Sequence, residues 1–403
     1  MVKFRPVSTD YESDVIYISK HAYEFLAKTK VYGGEIIINK IGNAGRVYLI
    51  PPIEKKTSLG MNQFMIRAND KVNNYYLYCY LAGKYGQNQL TQRITGAVPL
   101  SIDKESARSV FVPLFSNTLE EIVANTISVY FEYAKQSKQL FKECQTLLLT
   151  ELGLIDWQPK HQISFIKNYS DTEQADRIDA EYYQPKYEEI IKAIKNYTGG
   201  WDKLENLVSI KKCVEVGSEE YLDEGIPFIR VSNLSPFEIT EEKYISKKLY
   251  AEIKQNQPEK GEILFSKDAT PGIAHYLGEE TREMIPSGGI LRLKNKTNSI
   301  NNEFLTLVLN SMIVKEQINR DVGGSVILHW RPDQVKETVI PILKDKIQIQ
   351  IQEKIIESFN LRKNSKHLLE CAKQAVEIAI EQNERVAIGW LKKQTGAQDA
   401  EGL

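Results

Sequence analysis

Cysteine, net charge and long apolar runs are all scarce in this sequence. The four cysteines, Cys79, Cys144, Cys213 and Cys371, are widely separated and form no C-x-x-C pair, which argues against a zinc site or a disulfide framework. This cysteine usage is typical of a reduced cytoplasm. No stretch approaches the length of a membrane span, so no membrane partner is predicted. The formal net charge of −1 argues against indiscriminate binding to polyanions, so any nucleic-acid surface must be a local patch.

Catalytic and cofactor-binding motifs are also absent from the sequence. It contains no G-x-x-x-x-G-K-[ST] phosphate loop, no G-x-G-x-x-G turn, no H-E-x-x-H metal motif and no G-x-S-x-G elbow. The five histidines are isolated, and an isolated histidine is more often a structural or surface residue than a base or a ligand. The sequence therefore predicts no catalytic residue, no cofactor and no metal site, and we expect that the chain is not an enzyme.

The sequence does contain a repeat of domain size. The tetrapeptide Tyr-Ile-Ser-Lys at 17–20 recurs at 244–247, a displacement of 227 residues, and Gly-Glu-Ile at 34–36 returns at 261–263 with the same displacement. Further on, Pro113 returns as Pro341, displaced by 228. A repeat of this length indicates two similar modules rather than a solenoid. Two modules in one chain suit a ligand that also has two halves, and duplex DNA is the commonest such ligand.

Each copy ends in a long predicted helix. The first follows Pro113, where residues 117–120 (Asn-Thr-Leu-Glu) fit a capping box. Apolar residues then recur at helical spacing in both copies: Leu119, Ile122, Val123, Ile127, Phe131, Leu140, Cys144, Leu147 and Leu148, and later Ile347, Ile351, Ile355, Phe359, Leu368, Leu369, Ala372, Val376 and Ala379. Residues 347–352 alternate like a strand, but their alignment with the first helix favours a helix.

Helices of this length need a packing partner. A helix of about 35 residues is about 50 Å long, more than a compact domain of this size requires. The simplest partner is the other copy, in antiparallel orientation, because the chain crosses a whole module before it returns. The alternative is that each helix packs only on its own module.

Ahead of the helices, each module shows mixed strand and turn patterns. Short strands are predicted at 15–18, 35–38, 46–50 and 64–66, and helices that open at an Asn cap are predicted at 74–81 and 302–312. We predict an α+β fold with two similar domains, each of mixed β-strands with short helices, separated by two long helices that form an antiparallel coiled coil. The predicted boundaries are a first domain at 1–114, a first spacer helix at 115–155, a second domain at 156–342, a second spacer helix at 343–382, and a loosely ordered tail at 383–403. Residues 179–228 precede the repeated region in the second copy only, so the first domain is expected to lack its N-terminal part.

Two loop motifs are candidates for contact with DNA. In both copies a Gly-Glu-Ile strand leads to a lysine, Lys40 or Lys267, in a polar, glycine-containing loop that could meet phosphates or base edges. A plain hairpin with an exposed lysine is the alternative. The second motif is Gly-Gly-Ser at 323–325 followed by His-Trp-Arg at 329–331. Residues 95–97 in the first copy lack the Trp and the Arg, so the two modules should read different sequences. The candidate DNA-binding residues are Asn39, Lys40, Asn43, Arg46, Arg230, Ser232, Asn233, Ser266, Lys267, Thr270, Ser325, His329, Trp330 and Arg331.

The combined pattern resembles the specificity subunit of type I restriction-modification systems. The resemblance rests on Asp-Ala-Glu-Tyr-Tyr-Gln-Pro-Lys-Tyr at 179–187, Ile-Pro-Phe-Ile-Arg-Val-Ser-Asn-Leu at 226–234, the Gly-Glu-Ile-Leu hairpin and a long helix after Ile-Pro. It extends over nearly the whole chain. It implies a non-catalytic DNA-recognition subunit whose two target-recognition domains each read half of a bipartite double-stranded site.

The same resemblance implies partners. Methyltransferase and restriction subunits would dock on the long helices and supply the catalysis. The first domain departs from the family pattern at its start, as a truncated gene, a misplaced start codon or a split subunit would produce. The alternative function is therefore that of a truncated relative which acts only as a helical scaffold for partner proteins, without productive DNA binding.

Overall fold

The computed structural model describes residues 16–279, 281–322 and 328–396. The chain divides into two compact units. The first unit comprises Met1–Lys138 with Asn360–Leu403, and the second comprises Gln139–Phe359. The α+β fold class is confirmed, because each unit combines small sheets with helices.

The secondary structure follows the chain in this order. The helices are α1 (Lys20–Phe25), α2 (Asn74–Ala82), α3 (Lys84–Gln92), α4 (Lys104–Arg108), α5 (Asn117–Glu151), α6 (Tyr169–Ala175), α7 (Pro185–Lys195), α8 (Leu204–Leu207), α9 (Lys247–Ile253), α10 (Asn302–Leu309), α11 (Met312–Asp321), α12 (Pro332–Lys336), α13 (Asp345–Glu381) and α14 (Glu384–Thr395). The strands are β1 (Lys30–Val31), β2 (Ile36–Asn39), β3 (Val47–Leu49), β4 (Thr57–Ser58), β5 (Gln63–Ile66), β6 (Trp201–Lys203), β7 (Val208–Lys212), β8 (Ile226–Ile229), β9 (Tyr244–Ile245), β10 (Glu262–Ser266), β11 (Ala274–Tyr276), β12 (Ile285–Pro286), β13 (Ile290–Asn295) and β14 (Val339–Pro341).

The first unit is built around an antiparallel sheet in the order β3-β2-β5, with a second small sheet of β1 and β4. The predicted strands at 35–38, 46–50 and 64–66 correspond to β2, β3 and β5 and are confirmed. The strand predicted at 15–18 is wrong over residues 16–18, and Val15 lies outside the described residues. The chain instead enters a helix there, because the Ser19 hydroxyl accepts a hydrogen bond from the amide of Ala22 (3.1 Å) and caps α1.

The helix caps in the first unit differ in detail from the prediction. Helix α2 is capped by Asn73 rather than Asn74, and the Asn73 side chain accepts from the amide of Tyr75 at 2.8 Å. The capping box expected at 117–120 does not form. The helix begins at Asn117, and the buried Glu120 carboxylate accepts from the amide of Asn73 at 2.7 Å. Glu120 therefore ties the start of α5 to the start of α2.

The second unit contains a four-stranded antiparallel sheet in the order β11-β10-β13-β7, a three-stranded sheet in the order β12-β8-β9 and the pair β14-β6. Its core brings helices α7, α10 and α11 against the four-stranded sheet and includes parts of both long helices. Helix α10 is capped by Asn301, whose side chain accepts from the amide of Phe304 at 2.8 Å, so this cap also lies one residue before the predicted one.

The two units repeat the same elements at the displacement found in the sequence. Strand β11 lies 227 residues after β3, and helix α12 lies 228 residues after α4. Strand β10 follows β2, and helices α10 and α11 follow α2 and α3, with nearly the same displacement. The repeat is therefore structural and extends through sheet and helices.

The two long helices lie against each other with opposite chain directions inside each unit. In the second unit, the Cys144 thiol lies 3.7 Å from the carbonyl oxygen of Ile351, and Lys354 forms an ion pair with Glu143 at 2.5 Å. In the first unit, the hydroxyl of Ser365 donates to the carbonyl of Tyr130 at 3.1 Å. These contacts agree with the predicted antiparallel pair, whereas its supercoiling remains a prediction.

The apolar stripes of the long helices face the cores as the spacing predicts. The fully buried stripe residues are Leu119, Val123, Ile127, Cys144, Leu148, Ile351 and Ala372, and residues 347–352 are helical. Helix α5 has 35 residues and α13 has 37. No helix in the described ranges is long and apolar enough to cross a membrane.

The segment expected to form a loose tail contains a packed helix instead. Helix α14 is capped by Asn383, whose side chain accepts from the amide of Val386 at 3.1 Å. Ala387 and Leu391 are fully buried in the core of the first unit. Only these two positions are fully buried along α14, so its apolar pattern in the sequence is weak. The prediction is wrong for 384–395, whereas residues 397–403 lie outside the described residues.

Candidate nucleic-acid interface

The turn that follows β10 is fixed by a buried serine. The Ser266 hydroxyl donates to the carbonyl of Thr270 (2.6 Å) and accepts from the amide of Ile273 (2.8 Å). Gly272 closes the turn at φ +97°, and its amide donates to the Ser266 carbonyl at 2.9 Å. A side chain at Gly272 would also meet Ile318, since a Cβ there would lie 2.5 Å from its Cδ1. Ser266 is therefore a residue that shapes the loop from within, although it was a candidate for DNA contact.

Main-chain hydrogen bonds join this turn to two other segments. The amide of Lys267 donates to the carbonyl of Gly289 and the carbonyl of Lys267 accepts from the amide of Trp330, both at 2.9 Å. The amide of Ala269 donates to the carbonyl of Leu328 at 3.0 Å. The turn at 267–270 and the segment at 328–331, predicted separately from sequence, thus form one cluster.

Asp268 stands between the two basic side chains of this cluster. Its carboxylate pairs with the Lys267 ammonium and also contacts the His329 Nδ1 at 2.9 Å. The Lys267 side chain is only 17% exposed, whereas that of His329 is 62% exposed. The expected exposed lysine is therefore largely covered and neutralised by its neighbour, and His329 presents the more accessible polar group.

The turn after β8 joins the same cluster at Gly289. A Cβ on Gly289 would lie 2.9 Å from Val231 and 3.5 Å from the Cβ of Asp268, so the three backbones approach closely there. Within this turn, the buried side chain of Asn233 accepts from the amide of Arg230 at 3.1 Å. The Arg230 guanidinium pairs with Glu242 at 2.7 Å.

Exposure separates the candidates of the second unit into two groups. Ser232, Thr270, His329 and Arg331 are exposed to solvent. Arg331 pairs with Asp333 at 3.3 Å, and both of these side chains remain more than two-thirds exposed. Ser325 lies outside the described residues.

Trp330 belongs to the core rather than to the surface. It is 1% exposed, and its ring packs edge-on against Phe265 with 5.8 Å between the ring centres. The sequence suggested an exposed aromatic residue because Trp330 follows a glycine-rich stretch. Since its indole is covered by the sheet, we assign it, like Ser266 and Asn233, to the support of the loops.

The first unit builds the same frame with other side chains. The amide of Lys40 donates to the carbonyl of Asn62 (2.8 Å), and the carbonyl of Lys40 accepts from the amide of Ile102 (3.0 Å). The amide of Gly45 donates to the carbonyl of Asn39 at 2.9 Å. Each bond has its counterpart in the second unit at the repeat displacement. The exposed candidates here are Lys40, Asn43 and Arg46, and Asn39 is half-buried and accepts from the amide group of Gln63 at 3.4 Å.

Residues 101–103 are the structural counterparts of 329–331, and the sequence reasoning missed them. Ser101 stands in place of His329, and the fully buried Ile102 in place of Trp330. Asp103 stands in place of Arg331. The pKa of the Asp103 carboxyl is lowered, chiefly because the amide of Ser106 donates to it at 2.8 Å. Carrying the displacement of 228 forward from Gly96 and Gly324 would have found this pair.

The described residues contain no group of three or more His, Cys, Asp or Glu side chains arranged to hold a metal ion. What the two clusters offer is a rigid main-chain frame that carries exposed Lys, Arg, His, Asn, Ser and Thr side chains. Such groups bind phosphates and base edges.

Comparison with protein families agrees with this chemistry. Residues 177–370 match the family described as the type I restriction modification DNA specificity domain. The chain belongs to the type I restriction-modification specificity family. The resemblance seen in the sequence is thereby confirmed, and the matched range includes the whole loop cluster of the second unit. Members of this family serve DNA sequence recognition in type I restriction-modification systems.

Solved structures of the same family are also similar to this chain. The type I restriction-modification S subunit from M. genitalium is 17% identical, with 91% of this chain and 84% of that chain covered and a TM-score of 0.35. The HsdS subunit from Thermoanaerobacter tengcongensis is 16% identical, with 91% and 82% covered and a TM-score of 0.29. A chain from a study of complex assembly and conformational transition of the type I R-M system is 15% identical, with the same coverage and a TM-score of 0.30. No curated protein matches the sequence.

Proposed function

We propose that this chain recognises a bipartite double-stranded DNA site, one half through the loop cluster of each unit. The observation that carries the proposal is the repeated main-chain frame. Lys40 and Lys267 are held by equivalent pairs of backbone hydrogen bonds, while the side chains around them differ. A shared frame with different side chains suits two domains that dock on DNA in the same way and read different bases.

The exposed side chains have the chemistry for both kinds of contact. Lys40 and Arg46 in the first unit, and Arg331 in the second, can bind phosphates or the acceptor edge of guanine. Asn43 can pair with adenine, and Thr270 and Ser232 can bond to bases or phosphates. The buried Ser266, Asn233 and Trp330 would set the positions of these groups.

We infer that catalysis comes from partner subunits docked on the long helices. The apolar stripe of α13 faces the core of the second unit, yet Ile349 and Ile356 on the same helix are 51% and 44% exposed. They are seven residues apart and thus share a helix face. Exposed isoleucines on one face favour a protein contact, and methyltransferase and restriction subunits are the proposed partners. We place the assembly in the cytoplasm, since all four cysteines are free thiols.

Footprinting of the chain, co-purified with its methyltransferase subunit, tests the proposal. We expect two protected half-sites separated by an unprotected gap. Variants in the first loop cluster should remove protection of one half-site, and variants in the second cluster that of the other. If the complex assembles but protects no sequence, the proposal is wrong and the helical scaffold without DNA binding is the better account.

A further inference from the structure

The sheet of the first unit has an open edge where that of the second unit is paired. In the second unit, β13 pairs with β10 on one side and with β7 on the other. In the first unit, β5 pairs with β2, and no other described strand lies on its far side. Exposure follows this difference. The first four residues of β13 are buried, whereas all four residues of β5 are half-buried.

A second edge is open in the same unit. The segment at 111–113 corresponds to β14, which pairs with β6 in the second unit. Phe111 and Leu114 are 80% and 69% exposed, whereas Val339, the counterpart of Phe111, is 9% exposed. The counterpart of Leu114 donates its amide to the carbonyl of Gly200 at 3.0 Å, but the amide of Leu114 has no hydrogen-bond acceptor among the described residues.

The open segment nevertheless has the conformation of its paired counterpart. The Gln89 side chain accepts from the amide of Phe111 (3.0 Å) and donates to its carbonyl (2.9 Å). Gln317 makes the same two bonds with Val339, at 2.8 and 3.0 Å. The first unit therefore holds this strand in place although its outer side is unpaired.

One continuous stretch covers both edges in the second unit. Residues 201–212 run from β6 through the short helix α8 into β7. Leu204 and Leu207 on α8 are essentially fully buried, and the amide of Leu204 donates to the carbonyl of Thr338 at 2.9 Å. The equivalents of both edges thus lie within the span of a single strand-turn-strand segment.

We propose that the first unit binds a strand-turn-strand segment of a second polypeptide, similar to residues 201–212, along β5 and along the segment at 111–113. By the repeat displacement, residues 1–15 of this chain correspond to 228–242, which in the second unit follow such a segment rather than form it. The bound segment would supply two strands by main-chain pairing and two apolar side chains on its turn. Unpaired edges beside exposed apolar side chains are the features on which strand addition occurs.

Hydrogen exchange of the full chain tests this inference without reference to DNA. The chain is compared with a version in which a copy of residues 196–214 is fused to its N-terminus through a flexible glycine-serine linker. We expect exchange at Val112, at Leu114 and at the outward amides of β5 to slow by roughly tenfold or more in the fusion. The same fusion with aspartate in place of both leucines that correspond to Leu204 and Leu207 serves as the control and should restore fast exchange.

The outcomes separate cleanly. Slowing at both edges that the aspartate control reverses supports the inference. Equal exchange with and without the fused segment would overturn it. Strong protection of both edges already in the unmodified chain would also overturn it, because the segment that covers them would then belong to this chain. Circular dichroism of all three proteins establishes that the first unit is folded in each.

Discussion

Arg292 holds Glu262 in a two-fold ion pair inside the second unit. Its Nε lies 2.7 Å from Oε2 and its second terminal nitrogen lies 2.9 Å from Oε1, and neither side chain is more than 3% exposed. In the first unit the repeat places Glu35 at the position of Glu262, but Met65 at the position of Arg292. Glu35 instead accepts from the amides of Tyr32 and Gly33, and Arg67 approaches it to 3.5 Å.

The buried pair leads to a prediction about stability. Arg292→Met leaves the Glu262 carboxylate buried without its cation, so we expect the second unit to lose about 3–5 kcal/mol of unfolding free energy. Arg67→Met removes a half-exposed partner and should cost less than about 1 kcal/mol. Urea denaturation of both variants measures the difference. Equal losses in the two variants would contradict the assignment of Arg292 as the essential partner.

The repeat made the frame of the candidate site predictable from sequence. A constant displacement brings Lys40 and Lys267 into register, and the structure gives both lysines equivalent main-chain bonds. Helical periodicity likewise predicted the long helices, because each stripe position faces a core. These features are recorded locally, in spacing along the chain.

Contacts between distant segments could not be predicted in this way. Trp330 is buried because Phe265, on another strand, packs against its ring. The cover on Lys267 depends on a turn that brings its ammonium to the adjacent Asp268, whereas neighbours in an extended strand point to opposite faces. Helix α14 was missed because its two fully buried residues give little periodic signal.

The burial of Trp330 predicts its effect on the protein without DNA. Trp330→Ala removes a large core side chain, and we expect a loss of about 3–5 kcal/mol in unfolding free energy. Trp330→Phe keeps most of the contact with Phe265 and should bind DNA nearly as well as the parent chain. Urea denaturation and an electrophoretic shift assay measure the two properties. A Trp330→Phe variant that is stable but has lost DNA binding would show that the indole itself contacts DNA.

Two adjacent isoleucines on α13 separate folding from partner docking. Ile355 is 5% exposed and Ile356 is 44% exposed. Ile355→Asp buries a charge in the core and should destabilise the second unit by more than about 3 kcal/mol. Ile356→Asp should change stability by less than about 1 kcal/mol but weaken binding of the methyltransferase subunit.

Thermal unfolding and co-purification distinguish the two effects. If Ile356→Asp co-purifies with the methyltransferase subunit as fully as the parent chain, this face of α13 is not the docking surface. If Ile355→Asp remains folded, the packing of α13 in the second unit is not as described.

The two repeated lysines should contribute unequally to DNA affinity. Lys40 is exposed, and no carboxylate pairs with it among the described residues, whereas the Lys267 ammonium is already paired with Asp268. Lys40→Ala should therefore lower the slope of log affinity against log salt by about one, as expected when one phosphate contact is lost. Lys267→Ala should change that slope less, because its charge is neutralised before DNA arrives. Lys40→Arg, which keeps the charge, is the control and should preserve the slope. A larger change for Lys267→Ala than for Lys40→Ala would mean that Asp268 releases its lysine to the phosphate when DNA binds.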